Sequence, residues 1–165
     1  MSNEPSVSPF EAQWKIISNP SWLNFIINDV NYHQKTLQSS KRIVFIKRDV
    51  NFNAAVRVCQ TIGGVVILPV TREENREIND FIIEHIGYAA VWLRISDEYQ
   101  EGTWRDTFDQ KEVNFSHWYQ GEPNNNGGNE DYAILHTRHW KSSNGAGSWH
   151  DVVASRKYYI LCELK

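Results

Sequence analysis

The sequence has no long apolar run. No stretch approaches the eighteen or so consecutive apolar residues that a membrane-spanning helix requires. The N-terminus also lacks the basic and apolar regions of a signal peptide. We therefore expect no membrane insertion, and an extracellular, secreted chain would have lost its signal peptide already.

Positive charge is also scarce. Lys and Arg total 17 against 20 Asp and Glu, which gives a net charge of −3 and no basic field for nucleic acid or anionic lipid. The 165 residues suffice for one domain with a short appendage. Seven each of Trp, Tyr and Phe indicate a dense aromatic core or a recognition surface.

Cysteine is limited to Cys59 and Cys162. Two buried free thiols are one interpretation. The other is a disulfide from the first third of the domain to its last strand. In the chain-entropy model, closing a loop of about 100 residues contributes about 4 to 5 kcal/mol.

Residues 1–40 differ in character from the rest of the chain. Residues 1–10 are polar with two prolines, which is typical of a flexible leader. After Asn19-Pro20, apolar residues at near-helical spacing predict a helix over residues 21–37. Its apolar stripe either packs on the main domain or associates with a second copy, which would make a homo-oligomer.

From residue 41 onward, the sequence predicts short strands and two helices. Asn51 caps the first helix, whose apolar face includes Cys59, and Thr71 with Glu74 forms a capping box for the second. β-Branched and aromatic runs, or alternating patterns, predict the strands. These are residues 42–47, 65–68, 89–95, 131–136, 149–153 and 157–164.

A turn-rich segment at residues 122–131 is dense in carboxylates and amides. Its sequence is Glu-Pro-Asn-Asn-Asn-Gly-Gly-Asn-Glu-Asp, and a further Trp-His-Asp follows at residues 149–151. Oxygen ligands at this density suit a hard cation such as Ca²⁺. The long interval over residues 96–130 is also easiest to explain if it is functional.

These motifs, in this order, resemble those of a C-type lectin-like domain over residues 41–165. The resemblance rests on the following segments: Cys59, residues 62–64, 92–95 and 101–104, Trp118, residues 121–124, 130–131 and 149–151, and Cys162. It implies an α+β fold, with two helices flanking small antiparallel sheets and a long calcium-binding loop region. It also implies a Cys59–Cys162 disulfide. The family's inner disulfide, expected at Tyr132 and near Ala154, is absent.

The resemblance implies a primary Ca²⁺ site formed by Glu122, Asn124, Glu130, His150 and Asp151. In sugar-binding members, two adjacent sugar hydroxyls complete the coordination, and a cis bond before Pro123 aims its neighbours at the ion. The Glu-Pro-Asn order is associated with mannose, glucose, N-acetylglucosamine and fucose, and a Gln-Pro-Asp order with galactose.

His150 departs from the family pattern, which has Asn at this position. Imidazole nitrogen is a poor ligand for a hard cation. Four outcomes stay open: water fills the gap, the ring donates a hydrogen bond to a sugar hydroxyl, sugar binding is lost, or His150 merely packs beside Trp149.

An auxiliary Ca²⁺ site is implied as well, and its candidate ligands are Asp97, Glu101, Asn125, Glu130 and Asp131. Alternatively, Asp97 and Glu101 are ordinary solvated surface charges.

The segment from His136 to Gly147 is longer than the family leads us to expect. Trp140 or His139 could stack on a sugar, or the insertion could be neutral. His136, His139 and His150 could also bind a transition metal. A glycosylation sequon at Asn114 stands beside aromatic residues that could leave it unused.

The sequence therefore predicts a calcium-dependent lectin that binds mannose-, fucose- or N-acetylglucosamine-type glycans and is not an enzyme. The alternative is an interaction module of the same fold that binds a protein or another surface. No nucleophile, base and orienting group can be assigned from spacing.

Overall fold

The computed structural model describes residues 32–137 and 147–165. Within them lie two helices, α1 (Phe52–Thr61) and α2 (Arg72–Ile86). The strands are β1 (Tyr32–Thr36), β2 (Arg42–Val50), β3 (Gly64–Val66), β4 (Ala90–Ser96), β5 (Arg105–Asp106), β6 (Tyr132–His136), β7 (Ser148–Val152) and β8 (Tyr158–Leu164). The class is α+β, as the sequence predicts. None of the helices in these ranges is long and apolar enough to cross a membrane.

The strands form a sheet in the order β1-β2-β8-β4-β6-β7. Strand β3 pairs with β8, and β5 pairs with β4. Neighbouring strands are antiparallel except β4 and β8, which meet in parallel through Val91 and Tyr159. Strands β6 and β7 lie at one end of this order and carry the residues that frame the oxygen-rich loop.

Helix α1 begins as the sequence predicts, because the Asn51 side chain accepts a hydrogen bond from the Ala54 amide at 2.9 Å. Its buried residues Phe52, Ala55 and Cys59 face the core. Cys59 forms a disulfide with Cys162 on β8, with 5.4 Å between the Cα atoms. The predicted bridge is therefore confirmed, and it joins α1 to a central strand.

Helix α2 shows a modified form of the predicted capping box. The Thr71 hydroxyl accepts from the Glu74 amide at 3.1 Å. The Glu74 carboxylate, however, accepts from the Val70 amide at 3.0 Å and from Lys41 Nζ at 2.8 Å. Glu74 thus ties the start of α2 to the segment before β2.

The core lies between α2 and the sheet. Its largest fully buried side chains include Trp149, Phe45 and Phe81, whereas Trp92 is buried on the other face of β4, where it meets Phe52 of α1 edge-on. The Trp92 ring nitrogen donates to the Val50 carbonyl at 2.8 Å, so this large side chain is buried with its polar atom satisfied. Trp149 lies on β7 with its side chain buried in the core, and His150 and Asp151 follow it on the same strand.

The predicted helix over residues 21–37 is wrong at its C-terminal end. Residues 32–36 form β1, which pairs with β2 from Tyr32 opposite Ile46 to Thr36 opposite Arg42. The edge of β2 offers backbone hydrogen bonds to these residues, and their exposure alternates with a period of two. Residues 21–31 lie outside the described ranges. The separation of residues 1–40 from a domain over residues 41–165 stays a prediction.

Candidate functional site

Asp151 connects the oxygen-rich loop to the sheet. It stands on β7 opposite Ala133 of β6, and only 3% of it is exposed. Its carboxylate accepts from the backbone amides of Asn124 at 3.0 Å and Asn125 at 2.6 Å. Burial opposes ionisation, but these amides and a hydrogen bond shared with Glu122 leave the pKa of Asp151 below its ordinary value.

Glu122 and Asn124 flank Pro123 and face each other. The Glu122–Pro123 bond is cis, as expected. Asn124 Nδ2 donates to Glu122 Oε1 at 2.7 Å. Burial, followed by the neighbouring Asp151 and Glu130 carboxylates, raises the pKa of Glu122 to about 7. Negative charge is therefore crowded at this point of the loop.

His150 lies beside this pair. Its Nδ1 is 3.7 Å from Glu122 Oε1, and its ring stacks on Tyr119 with centroids 5.2 Å apart and planes 18° apart. The next residue back, Trp149, points into the core, where its ring nitrogen donates to Asn75 Oδ1 at 2.7 Å. The two rings leave β7 on opposite faces, so packing beside Trp149 does not account for His150.

The candidate auxiliary ligands lie in the same neighbourhood. Asn125 Nδ2 donates to Glu101 Oε2. Asn125 Oδ1 accepts from the Glu130 amide at 3.1 Å, and Glu130 Oε2 accepts from the Asn126 amide at 2.9 Å. The Asp131 carbonyl accepts from the Asp97 amide at 3.1 Å. These contacts hold residues from the two ends of the long loop region together.

Asp97 is a buried carboxylate with one unsatisfied oxygen. Only 3% of the residue is exposed, and its Oδ2 accepts from the Gly102 amide at 2.8 Å. Its Oδ1 is buried with no hydrogen-bond partner among the described residues. Burial, then the charges of Asp131 and Asp151, raise the pKa of Asp97. Asp97 is thus not the solvated surface charge of the alternative interpretation.

The carboxylates do not form a closed metal cage. Across residues 32–137 and 147–165, no group of three or more His, Cys, Asp or Glu side chains is arranged to hold a metal ion. Glu122 and Glu101 instead bind the amide nitrogens of Asn124 and Asn125. The arrangement gathers oxygen donors with excess negative charge, and the amide groups stand between them.

Two sequence-based candidates fall beyond the described ranges. Trp140, proposed to stack on a sugar, and His139, proposed as a transition-metal ligand, both lie there. His136 and His150 are described, with ring centroids 5.9 Å apart.

The structure adds residues that spacing alone does not indicate. Tyr119 supports the His150 ring, and Asn75 on α2 holds Trp149 in place. Asn75 is one residue after the predicted capping Glu74, and its burial could be anticipated only from the helical periodicity of Ile78 and Ile82. For Tyr119, no signal in the sequence predicts the stack.

Comparison with known proteins agrees with this architecture. The family model described as "Lectin C-type domain" matches residues 48–164. A perlucin-like protein of Mytilus galloprovincialis is 32% identical over 106 residues, covering 64% of this chain and 64% of its own length. The chain thus spans less than two thirds of that relative.

Solved structures give the same fold. The human scavenger receptor C-type lectin carbohydrate-recognition domain aligns with a TM-score of 0.66 at 24% identity, covering 79% of this chain and 95% of its own. The cow CD23 carbohydrate-recognition domain, solved in the presence of a GlcNAc2Man3 oligosaccharide, aligns with a TM-score of 0.59 at 22% identity, covering 81% and 91%.

The matched residues include both helices, strands β3 to β8 and the oxygen-rich loop. Lectin domains of this kind are non-enzymatic binding modules, in agreement with the prediction that the chain is not an enzyme. The chain belongs to the C-type lectin domain family.

Proposed function

We propose that this chain is a calcium-dependent carbohydrate-binding module for mannose-, fucose- or N-acetylglucosamine-type glycans, acting outside the cell. The observation that carries the proposal is the convergence of Glu122, Asn124 and Asp151, with Asp151 fixed by the loop's own amides. This convergence joins the Glu-Pro-Asn segment to the strand that carries the final candidate ligand.

The donor set fits Ca²⁺. All proposed side-chain ligands except His150 present oxygen, and Ca²⁺ takes about 6 to 8 oxygen ligands at flexible geometry. The unpartnered Oδ1 of Asp97 and the raised pKa values of Asp97 and Glu122 both indicate carboxylates that lack a compensating positive charge. Glu122, Asn124, Glu130 and Asp151 would hold the primary ion, and Asp97, Glu101, Asn125, Glu130 and Asp131 an auxiliary one.

A bound Ca²⁺ would supply a positive charge to which two adjacent sugar hydroxyls can bind directly. The chain's own groups set the orientation of those hydroxyls. The Glu122 carboxylate accepts a hydrogen bond from a hydroxyl, and the Asn124 amide donates one. Because Asn124 Nδ2 already lies 2.7 Å from Glu122, donor and acceptor stand side by side, as two vicinal hydroxyls require.

His150 lies within the proposed site but changes its chemistry, because it offers ring nitrogen in place of an amide. Its ring is fixed by the Tyr119 stack and lies 3.7 Å from Glu122 Oε1. From this position a ring N–H can donate to a sugar hydroxyl held beside Glu122. Tyr119 and His150 together present an aromatic edge next to the loop, which suits the apolar face of a sugar ring.

The order of acid and amide around Pro123 provides the sharpest test of sugar recognition. The double variant Glu122→Gln with Asn124→Asp exchanges the acid and the amide, and the proposal predicts that mannose binding falls and galactose binding appears. The change in preference is expected to be at least about tenfold, which corresponds to about 1.4 kcal/mol. Competition of both sugars against an immobilised glycan measures it.

Glu112→Gln is a matched control because Glu112 is exposed and, within the part of the chain that the structure describes, forms a backbone bridge with Arg105 away from the proposed ligands. Its sugar preference should equal that of the natural chain. An unchanged preference in the double variant, with calcium binding retained, would contradict the proposed role of the triplet.

A second candidate function is an interaction module that binds a protein or another surface. The observation in its favour is His150 itself, since its imidazole stands beside Glu122 where a lectin of this type offers an amide oxygen. A glycan array repeated in EDTA separates the two functions. Chelator-sensitive binding to mannose- or fucose-type glycans supports the lectin, and an array without any signal supports the interaction module.

Single shallow sugar sites bind weakly, so useful avidity comes from several copies. The proposed homo-oligomer through residues 21–37 would supply them. That segment is a strand over residues 32–36 and is not described before residue 32. A monomer by light scattering would reject the oligomer and leave the single-site proposal intact.

A further inference from the structure

The segment between β5 and β6 contains the tripeptide Asn114-Phe115-Ser116. An Asn-X-Ser tripeptide whose middle residue is not Pro is the acceptor signal for N-linked glycosylation in a secretory pathway. The only other Asn-X-Ser in the chain, Asn19-Pro20-Ser21, has Pro in the middle and is excluded by the same rule. The chain therefore offers a single candidate acceptor.

The aromatic residue within the sequon does not block the acceptor Asn114. Phe115 is half-buried and meets Trp149 edge-on, with ring centroids 5.6 Å apart and an interplanar angle of 86°. Asn114 and Ser116, on either side, are exposed. The aromatic residue of the sequon is thus packed inward, while the two residues that carry the chemistry stand outward.

The local backbone and surroundings leave room for a glycan. Asn114 occupies a bend outside every helix and strand, and its side chain has no hydrogen-bond partner among the residues that the structure describes. It lines a cavity of about 240 Å³ whose other walls include Leu68, Val70 and Val113. Val70 is 50% exposed, so a sugar attached at Asn114 would meet apolar surface that is otherwise open to water.

We propose that Asn114 is a site of N-linked glycosylation. The donor is an oligosaccharide linked to a lipid diphosphate. Asn114 Nδ2 forms a bond to the anomeric carbon, the bond from that carbon to the diphosphate oxygen breaks, and the diphosphate leaves with the bonding electrons. The amide loses one proton to the transferase. The Ser116 hydroxyl is the second element that the transferase reads.

This inference goes beyond the proposed sugar binding and does not depend on it, but it rests on the proposed location of the chain outside the cell. The sequon shares no residue with the proposed calcium ligands, so a chain that binds no sugar could still carry the glycan. Loss of calcium or sugar binding therefore says nothing about Asn114, and an unmodified Asn114 says nothing about the lectin site.

The test is expression of the full 165-residue chain with a secretion signal in human cells. The mass of the secreted protein is measured before and after digestion with an amidase that releases N-linked glycans and converts their Asn to Asp. We expect one glycan, released with conversion of Asn114 alone. Asn114→Gln and Ser116→Ala should each abolish the mass shift, and Ser116→Thr should retain it.

Asn126→Gln is the matched control, because Asn126 is an exposed Asn outside any sequon. This variant should carry the same glycan mass as the natural chain. Circular dichroism and an intact disulfide check that each variant is folded. Unmodified Asn114 in both the natural chain and Ser116→Thr would overturn the proposal. So would a glycan that persists in Asn114→Gln.

Discussion

Lys41 and Glu74 form an ion pair that is nearly closed to solvent. Their side chains are 19% and 6% exposed, and Nζ lies 2.8 Å from the carboxylate. Removing one member of a buried pair leaves an uncompensated charge, which costs about 3 to 5 kcal/mol. We therefore predict that Lys41→Met lowers the free energy of unfolding by about that amount in urea titrations.

The control for this prediction is Lys111→Met. Lys111 also pairs with a carboxylate, Asp109, at 2.8 Å, but its side chain is 81% exposed. Exposed pairs contribute about 0 to 1 kcal/mol. Similar losses in the two variants would contradict the special position of Lys41.

Glu74 also makes stability depend on pH. Burial alone would raise its pKa, but hydrogen bonds from Lys41, Ser39 and the Val70 amide outweigh burial and hold the pKa of Glu74 below its ordinary value. A depressed folded-state pKa contributes stability that is present above the unfolded pKa and is lost as pH falls through the folded one. Urea titrations between about pH 6 and pH 3 should show this loss, and Glu74→Gln should show a smaller slope over the same range.

His150 occupies the position where the family has Asn. Its ring lies near Glu122 but offers nitrogen, whereas Asn would offer an amide oxygen to a hard cation. We predict that His150→Asn tightens Ca²⁺ binding about tenfold, which corresponds to about 1.4 kcal/mol. Calorimetric Ca²⁺ titration measures the change. Weaker binding in the variant would show that the imidazole itself supports the site.

At the scale of elements, the long loop region lacks the inner disulfide that the resemblance to the family leads us to expect. The single bridge joins α1 to β8. The loop is held to β7 by backbone hydrogen bonds between Trp149 and both His117 and Tyr119, and by the Asp151 carboxylate, which accepts from the amides of Asn124 and Asn125. Without a cation, repulsion among the crowded carboxylates opposes these contacts. We predict faster proteolysis of residues 96–137 in EDTA than in Ca²⁺.

Helix α1 provides an internal reference for that experiment, because the disulfide and its N-cap hold it independently of the loop. Cleavage within residues 52–61 should be slow in both conditions. Identical cleavage of residues 96–137 with and without EDTA would contradict the role of the cation in ordering the loop.

At the scale of the whole molecule, local patterns predicted most elements. Asn51 and Thr71 mark the starts of the two helices through side-chain capping that acts over a few residues, and both helices begin there. Strand β1 was missed because its pairing with β2 is a tertiary contact, while near-helical spacing across residues 21–37 suggested the wrong period.

In the candidate site, too, local motifs were predicted and contacts between distant parts of the chain were not. The Glu-Pro-Asn segment and Asp151 were identified by motif, and the backbone amides that link them were not, since they join residues 26 and 27 positions apart. The Tyr119 stack on His150 and the buried Oδ1 of Asp97 depend on three-dimensional packing. Spacing alone could not predict either feature.

Sugar binding at the Glu122, Asn124 and Asp151 cluster should require Ca²⁺. Calorimetric titration of mannose into the full chain, in saturating Ca²⁺ and again in EDTA, tests it most directly, with galactose as the sugar control. We expect a binding heat for mannose in Ca²⁺, a weaker one or none for galactose, and none for either sugar in EDTA. Equal mannose heats with and without Ca²⁺, or no mannose heat in Ca²⁺, would contradict it.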